Sequence, residues 1–211
     1  MIPICLAQFF GDLSTFQIIV SALAAFAAFL SLPTFYKTFI ERVKLSLYPG
    51  DAVRIVLSPD GDTSAFHLMC NLINKTTKAG TVHRLEVRVS DPQKATRNFV
   101  WYLFYKYSPG GQGVEKEIDP YPVAVSPKDS KLIFVGFQAD LAEQKCTWPE
   151  GEYKFEVIGW VNRKHRRKSS NLKSIFHTQI TEEVIRQLGK PNPNNPIYIT
   201  VPVIEWERRH G

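Results

Sequence analysis

No lysine or arginine occurs before residue 37 of this 211-residue chain, and Asp12 is the sole acid in that stretch. The cationic leader of a secretory signal is therefore missing, and the apolar run that follows is too long for a short signal core. Cysteine is scarce as well. Cys5, Cys70 and Cys146 are an odd number in no metal-ligand spacing, which argues against a disulfide framework. One Cys70–Cys146 bridge stays open for an exported domain. No repeat of fixed period and no low-complexity segment is present, so solenoid and disordered classes drop out.

Motifs that carry chemistry are missing too. The histidines are His67, His83, His165, His177 and His210, and none forms a His-x-x-x-His pair. Zinc ligation and His-based catalysis thus lack a supporting spacing. Ser108–Gly113 (SPGGQG) has glycines but not the Gly-Lys-Ser/Thr that reaches phosphate, so it reads as a hairpin loop. No Gly-x-Ser-x-Gly occurs, and no pair of acids stands apart from its surroundings. The expectation is a non-enzymatic protein with neither metal nor cofactor.

What the chain does have begins with Leu13–Tyr36 (LSTFQIIVSALAAFAAFLSLPTFY), which is uncharged throughout. As a helix it extends about 36 Å at 1.5 Å per residue, against about 30 Å for a hydrocarbon core. The run predicts a transmembrane helix at 13–36, after a short leader at 1–12 and before a linker at 37–43. Lys37, Arg42 and Lys44 follow the run while Asp12 precedes it. By the positive-inside rule the C-terminal domain, 44–211, belongs in the cytoplasm of a single-pass membrane protein, at the inner membrane if the source is bacterial. Export of that domain is the alternative, and there Asn74-Lys75-Thr76 would be a glycosylation acceptor by pattern. Ser21/Ala25 and Ala24/Ala28 set small side chains four apart, a spacing that suits helix self-association and a homo-oligomer.

From Val43 the hydrophobic period changes to two. Val43–Tyr48, Ala52–Leu57, Phe66–Ile73, Thr81–Ser90, Phe99–Tyr107, Val123–Ser126, Leu132–Phe137, Tyr153–Val161, Leu172–Ile180 and Ile197–Trp206 read as short strands between turns. The alternation slips near His83-Arg84, which predicts a bulge or a strand start. Thr181-Glu-Glu-Val184 carries an N-cap and two acids in a first turn, so a short helix is expected near 181–189. This is an all-β pattern of the sandwich or barrel kind.

Trp148-Pro-Glu-Gly-Glu-Tyr153-Lys-Phe155-Glu-Val157 resembles the start of strand F in immunoglobulin-like domains. There a glycine turn leads to a tyrosine whose hydroxyl bonds back to the corner. Phe155 stands where antibody domains carry a cysteine, so the resemblance is one of architecture and names no family. It implies an immunoglobulin-like antiparallel sandwich behind the membrane helix, and it carries no function.

The chain's 26 basic residues all lie beyond residue 36, and Arg163, Lys164, Arg166, Arg167 and Lys168 form one compact run. In the sandwich this run is the F–G loop, and Lys75 and Lys78 sit in the B–C loop at the same end. That end faces the bilayer and suits anionic lipid headgroups or an unknown protein partner. Nucleic acid is the weaker use of the same charge, since the rest of the domain is too nearly neutral for a tracking groove. A ligand-responsive membrane effector working through the small-residue stripe is the other alternative. Trp101, Tyr102 and Tyr105, in a strand apolar on both faces, are the second place for a contact.

Overall fold

The alternation that begins near Val43 becomes ten antiparallel strands in the computed structural model, which describes residues 3–36, 41–107, 114–140, 146–162 and 172–207. They are β1 (Leu45–Leu57), β2 (Ala65–Asn74), β3 (Gly80–Ser90), β4 (Thr96–Tyr107), β5 (Val114–Ile118), β6 (Val123–Val125), β7 (Ser130–Ala139), β8 (Gly151–Val161), β9 (Leu172–Ile180) and β10 (Ile197–Glu207). The chain divides into two units, Met1–Arg42 and Val43–Gly211.

The larger unit corrects the immunoglobulin-like sandwich. Hydrogen bonding runs β4-β7-β2-β1-β10-β9-β8-β3, and β3 returns to β4 through Glu86↔Val100 to Ser90↔Thr96. Eight strands thus close into one barrel, with β5 appended to β4 and β6 to β3. Strand alternation is the same in both architectures, because one face is buried and one solvated in each. Closure is decided by which strands pair, and period-two patterning does not encode that.

Closing eight strands demands strong coiling, and bulges supply it. Registers shift at Pro49/Val53 in β1, Val82/Arg84 in β3, Trp101/Leu103 in β4 and Val203/Glu205 in β10. The β3 shift falls where the sequence slipped. Pro49-Gly50-Asp51, read above as a turn between two strands, is instead a bulge inside the single long β1.

The barrel is filled. Phe66, Leu68, Cys70, Leu72, Leu85, Val87, Phe99, Val135, Phe137, Phe155, Val157 and Phe176 point inward, all almost fully buried. Phe155 stacks on Phe176 at 5.0 Å, and Phe66 meets Phe99, Phe137 and Phe155 within 5.4 Å. Tyr153 Oη donates to the Pro149 carbonyl at 2.9 Å, so the tyrosine corner forms, here on a barrel. Cys70 and Cys146 are both buried and are not joined by a disulfide, which settles the bridge left open above. α2 (Glu182–Leu188) starts at its Thr181 cap and lays Val184, Ile185 and Leu188 against the core.

In the smaller unit α1 spans Pro3–Phe35, taking in residues read above as a short leader. Among the described residues no helix is long and apolar enough to cross a membrane. That overturns the transmembrane helix at 13–36, the single-pass membrane placement and the cytoplasmic orientation drawn from it. Absence of charge is not the same as apolarity. Ser14, Thr15 and Gln17 on one side, and Ser31, Pro33 and Thr34 on the other, bracket Ile18–Leu30. Ser21, Ala24, Ala25 and Ala28 are exposed along α1, as are Ile18, Leu23, Phe26 and Phe29.

Candidate functional site

Strand direction sorts the barrel's turns onto two rims. β1 and β7 begin, β2 ends and β3 begins at one rim; β8 ends and β9 begins there too. That rim carries Lys44, Lys75, Lys78, Lys128 and Lys131, against Asp129, from the entry to β1, the β2–β3 loop, the β6–β7 turn and the start of β7. The opposite rim collects Asp60, Asp62, Asp91, Asp140, Glu150, Glu182 and Glu183, against Lys94, Arg186 and Lys190. Charge is therefore polarised along the barrel axis.

One buried side chain holds the lysine rim in shape. Asn74 is 1% exposed. Its Nδ2 donates to the carbonyls of Lys78 (2.8 Å) and Val125 (3.2 Å). Its Oδ1 accepts from the backbone nitrogen (3.0 Å) and hydroxyl (2.7 Å) of Thr76. Backbone bonds from Asn74 to Asp129 (2.9 Å) and from Lys128 to Thr76 (3.1 Å) then join the β2–β3 loop to the β6–β7 turn. Between them lies a shallow groove of about 490 Å³ lined by Ile73, Asn74, Lys75, Lys128, Asp129 and Ser130. The glycosylation pattern at Asn74 is thus a structural lock: its amide is buried and fully bonded.

Of the sites expected from sequence, Lys75 and Lys78 lie on this rim. Arg163, Lys164, Arg166, Arg167 and Lys168 fall outside the described residues. Their flank is fixed: Asn162 receives the Thr81 amide on its Oδ1 at 2.7 Å and donates its own to the Thr81 carbonyl at 2.8 Å. Trp160, beside that flank, lies under the Arg84 guanidinium at 5.7 Å.

Trp101, Tyr102 and Tyr105 separate. Trp101 packs inward against the core. The β4 bulge inserts Tyr102 as an extra residue opposite β7, and Tyr102 then meets Tyr105 hydroxyl to hydroxyl at 3.0 Å. Both rings lie over Gly136, where a Cβ would stand 2.7 Å from Tyr105 and 3.0 Å from Tyr102. Tyr105 thereby reaches His67 two strands away, ring centroids 3.8 Å apart. Tyr198 approaches the same imidazole from β10 at 5.2 Å, and Phe134 edges it at 5.6 Å. Arg54, paired with His67 across β1 and β2, sets its guanidinium over Phe134 at 5.6 Å.

His67 is completely buried, and neither ring nitrogen has a hydrogen-bond partner. Burial, reinforced by the nearby Arg54 charge, holds its pKa down at about 3, so the ring is neutral. Burial also raises the Tyr105 phenol, with the Tyr102 hydrogen bond adding to it, and raises Tyr198. His67 and Cys70 lie on opposite faces of β2, with Cys70 in the core and His67 on the outer wall. Its burial was invisible, because it depends on a bulge and a glycine in two other strands.

His177, on β9, sits between Glu152 (2.6 Å) and Glu207 (3.2 Å), tying three strands together on the outer wall. Among the described residues no group of three or more metal-ligating side chains converges.

No protein-family model matches the chain, and no curated protein is similar to it. Among the solved structures that resemble it weakly are the following two. An ApaA protein of Bordetella pertussis matches at 9% identity and a TM-score of 0.33, over 78% of this chain and 94% of that one. Beta-glucosidase 3B of Thermotoga neapolitana, in complex with alpha-D-glucose, matches at 13% identity and a TM-score of 0.29, over 78% of this chain and 19% of that one. The chain therefore spans about a fifth of the glucosidase.

Proposed function

We propose that this protein is a non-enzymatic binding module whose lysine-bearing rim docks an acidic surface of a partner protein. The observation that carries the reading is the axial charge polarisation. Five lysines from separate segments share one rim with Asp129, while seven acids and three basic residues share the other. A cationic rim facing away from an acidic one orients an incoming anionic surface and speeds its capture. Charge at a rim acts mainly on encounter and specificity, so moderate affinity with strong salt dependence is expected.

The test is binding of the full chain to poly-L-glutamate, with phosphatidylserine vesicles as a parallel arm. Replacing Lys75, Lys78 and Lys128 by Glu is expected to weaken poly-L-glutamate binding at least tenfold. Replacing Lys94 and Lys190 on the opposite rim should leave it unchanged. Equal loss in both variants, or binding to vesicles alone, contradicts the reading.

A further inference from the structure

The outer wall over β2 holds a feature that the rim does not use. His67 lies beneath a roof made of side chains, with Tyr105 reaching in from β4 across Gly136 and Tyr198 from β10 across β1. Both nitrogens of the ring are unpartnered and inaccessible. Leaving polar atoms buried without partners is destabilising, and an apolar ring at this position would avoid that cost. The imidazole therefore weakens the closed roof while remaining able to take a proton.

The groups packed on the ring decide what a proton would do. From β1 comes Arg54, a cation; from β4 Tyr105, bonded through its hydroxyl to Tyr102; from β7 Phe134; from β10 Tyr198. None of these described groups is an acid. An imidazolium in this cage would lose its hydration and lie near the Arg54 charge. The ring stays neutral while it is buried, and it takes a proton at its ordinary value only by becoming exposed.

The roof is also the part of the wall that can move without breaking the barrel. Tyr102 and Tyr105 are held over a glycine by a bulge, and Tyr198 is 38% exposed. Swinging these rings aside breaks no ladder hydrogen bond. On the inner face, Phe66 and Leu68 keep β2 fixed to the core.

We propose that His67 and its tyrosine roof form an acid-operated latch, in which protonation of the imidazole drives Tyr105 and Tyr198 outward. The opened wall presents the Arg54 guanidinium and three tyrosines in place of a sealed aromatic surface. The open form binds a proton at the ordinary histidine value, near 6.5, and the closed form only near 3. Between those values each unit of acidification multiplies the open-to-closed ratio about tenfold.

Two measurements on the full chain test this: 19F NMR of 3-fluorotyrosine at 105 and 198, and the Cε1 chemical shift of His67. The expected result is an open population rising about tenfold per pH unit below 6.5, with the far-UV circular dichroism unchanged over the same range. His67→Phe should abolish that rise. Tyr105→Ala should let His67 titrate near its ordinary value at neutral pH. The latch is overturned if His67→Phe opens with the same pH dependence or if opening coincides with loss of the β signal. It is equally overturned if His67 stays silent in Tyr105→Ala.

Discussion

Asn74 is the residue on which the lysine rim most depends, and Asn74→Ala is the perturbation to develop. Its side chain makes four hydrogen bonds, two given by Nδ2 and two accepted by Oδ1. Truncation removes all four and leaves the Lys78 and Val125 carbonyls and the Thr76 amide in need of other partners. At a net of about 1 kcal/mol per bond, with some water entering at the rim, the loss is about 3 kcal/mol. For a domain of this size that lowers Tm by roughly 6–12 °C. Asn74→Asp keeps the two acceptor bonds, loses both donors and buries a charge, so it should cost at least as much. Thermal denaturation followed by circular dichroism gives the stability change. Hydrogen exchange should show the Thr76 and Lys128 amides losing protection first. A loss below about 1 kcal/mol, or unchanged exchange at those amides, would refute the lock.

Three other outcomes follow from the same geometry. Tyr153→Phe deletes the corner bond to the Pro149 carbonyl and should cost about 1–2 kcal/mol in urea denaturation, with the fold retained. Stability should fall as pH drops below 6.5, because the folded pKa of His67 is depressed: the contribution is complete above the unfolded value and disappears towards pH 3. The slope is about 1.4 kcal/mol per pH unit, and denaturation of His67→Phe across pH 7 to 5 should lack it. Gly136→Val places methyl groups where Tyr105 and Tyr102 lie, so both rings should shift, with a stability loss of about 1–3 kcal/mol and new near-ultraviolet dichroism.

Much of the strand content was legible in the sequence, and the arrangement of strands was not. The clean alternation of Thr81–Ser90 located β3 and its register slip, and Thr181 with its two acids located α2. The same alternation fits a sandwich or a barrel. The ring closes only because the β3–β4 hairpin is joined on both sides to strands far away in the chain, β3 to β8 and β4 to β7, and because β1 pairs with β10. β5 was passed over because a glycine-rich loop precedes it and its residues, Val-Glu-Lys-Glu-Ile, are mostly charged. Leu13–Tyr36 misleads because it is uncharged throughout while Ser14, Thr15, Gln17, Ser31, Pro33 and Thr34 interrupt it. For the candidate site, Lys75 and Lys78 were visible as basic loop residues. Lys128 and Lys131 were not, since they join that rim only through the Asn74 bonds and the β2–β7 register. His67 was out of reach for a related reason: Gly136 and the Tyr102 bulge bury it from the opposite side of β7.

Everything placed on the two rims presupposes a single closed ring of eight strands. The direct measurement is a set of interstrand nuclear Overhauser effects in the full chain, between Val53 and Val201 across β1 and β10 and between Val87 and Phe99 across β3 and β4. A closed barrel gives both sets in the same spectrum. Two stacked sheets would lack one of them, and the lysine rim would then no longer be a rim.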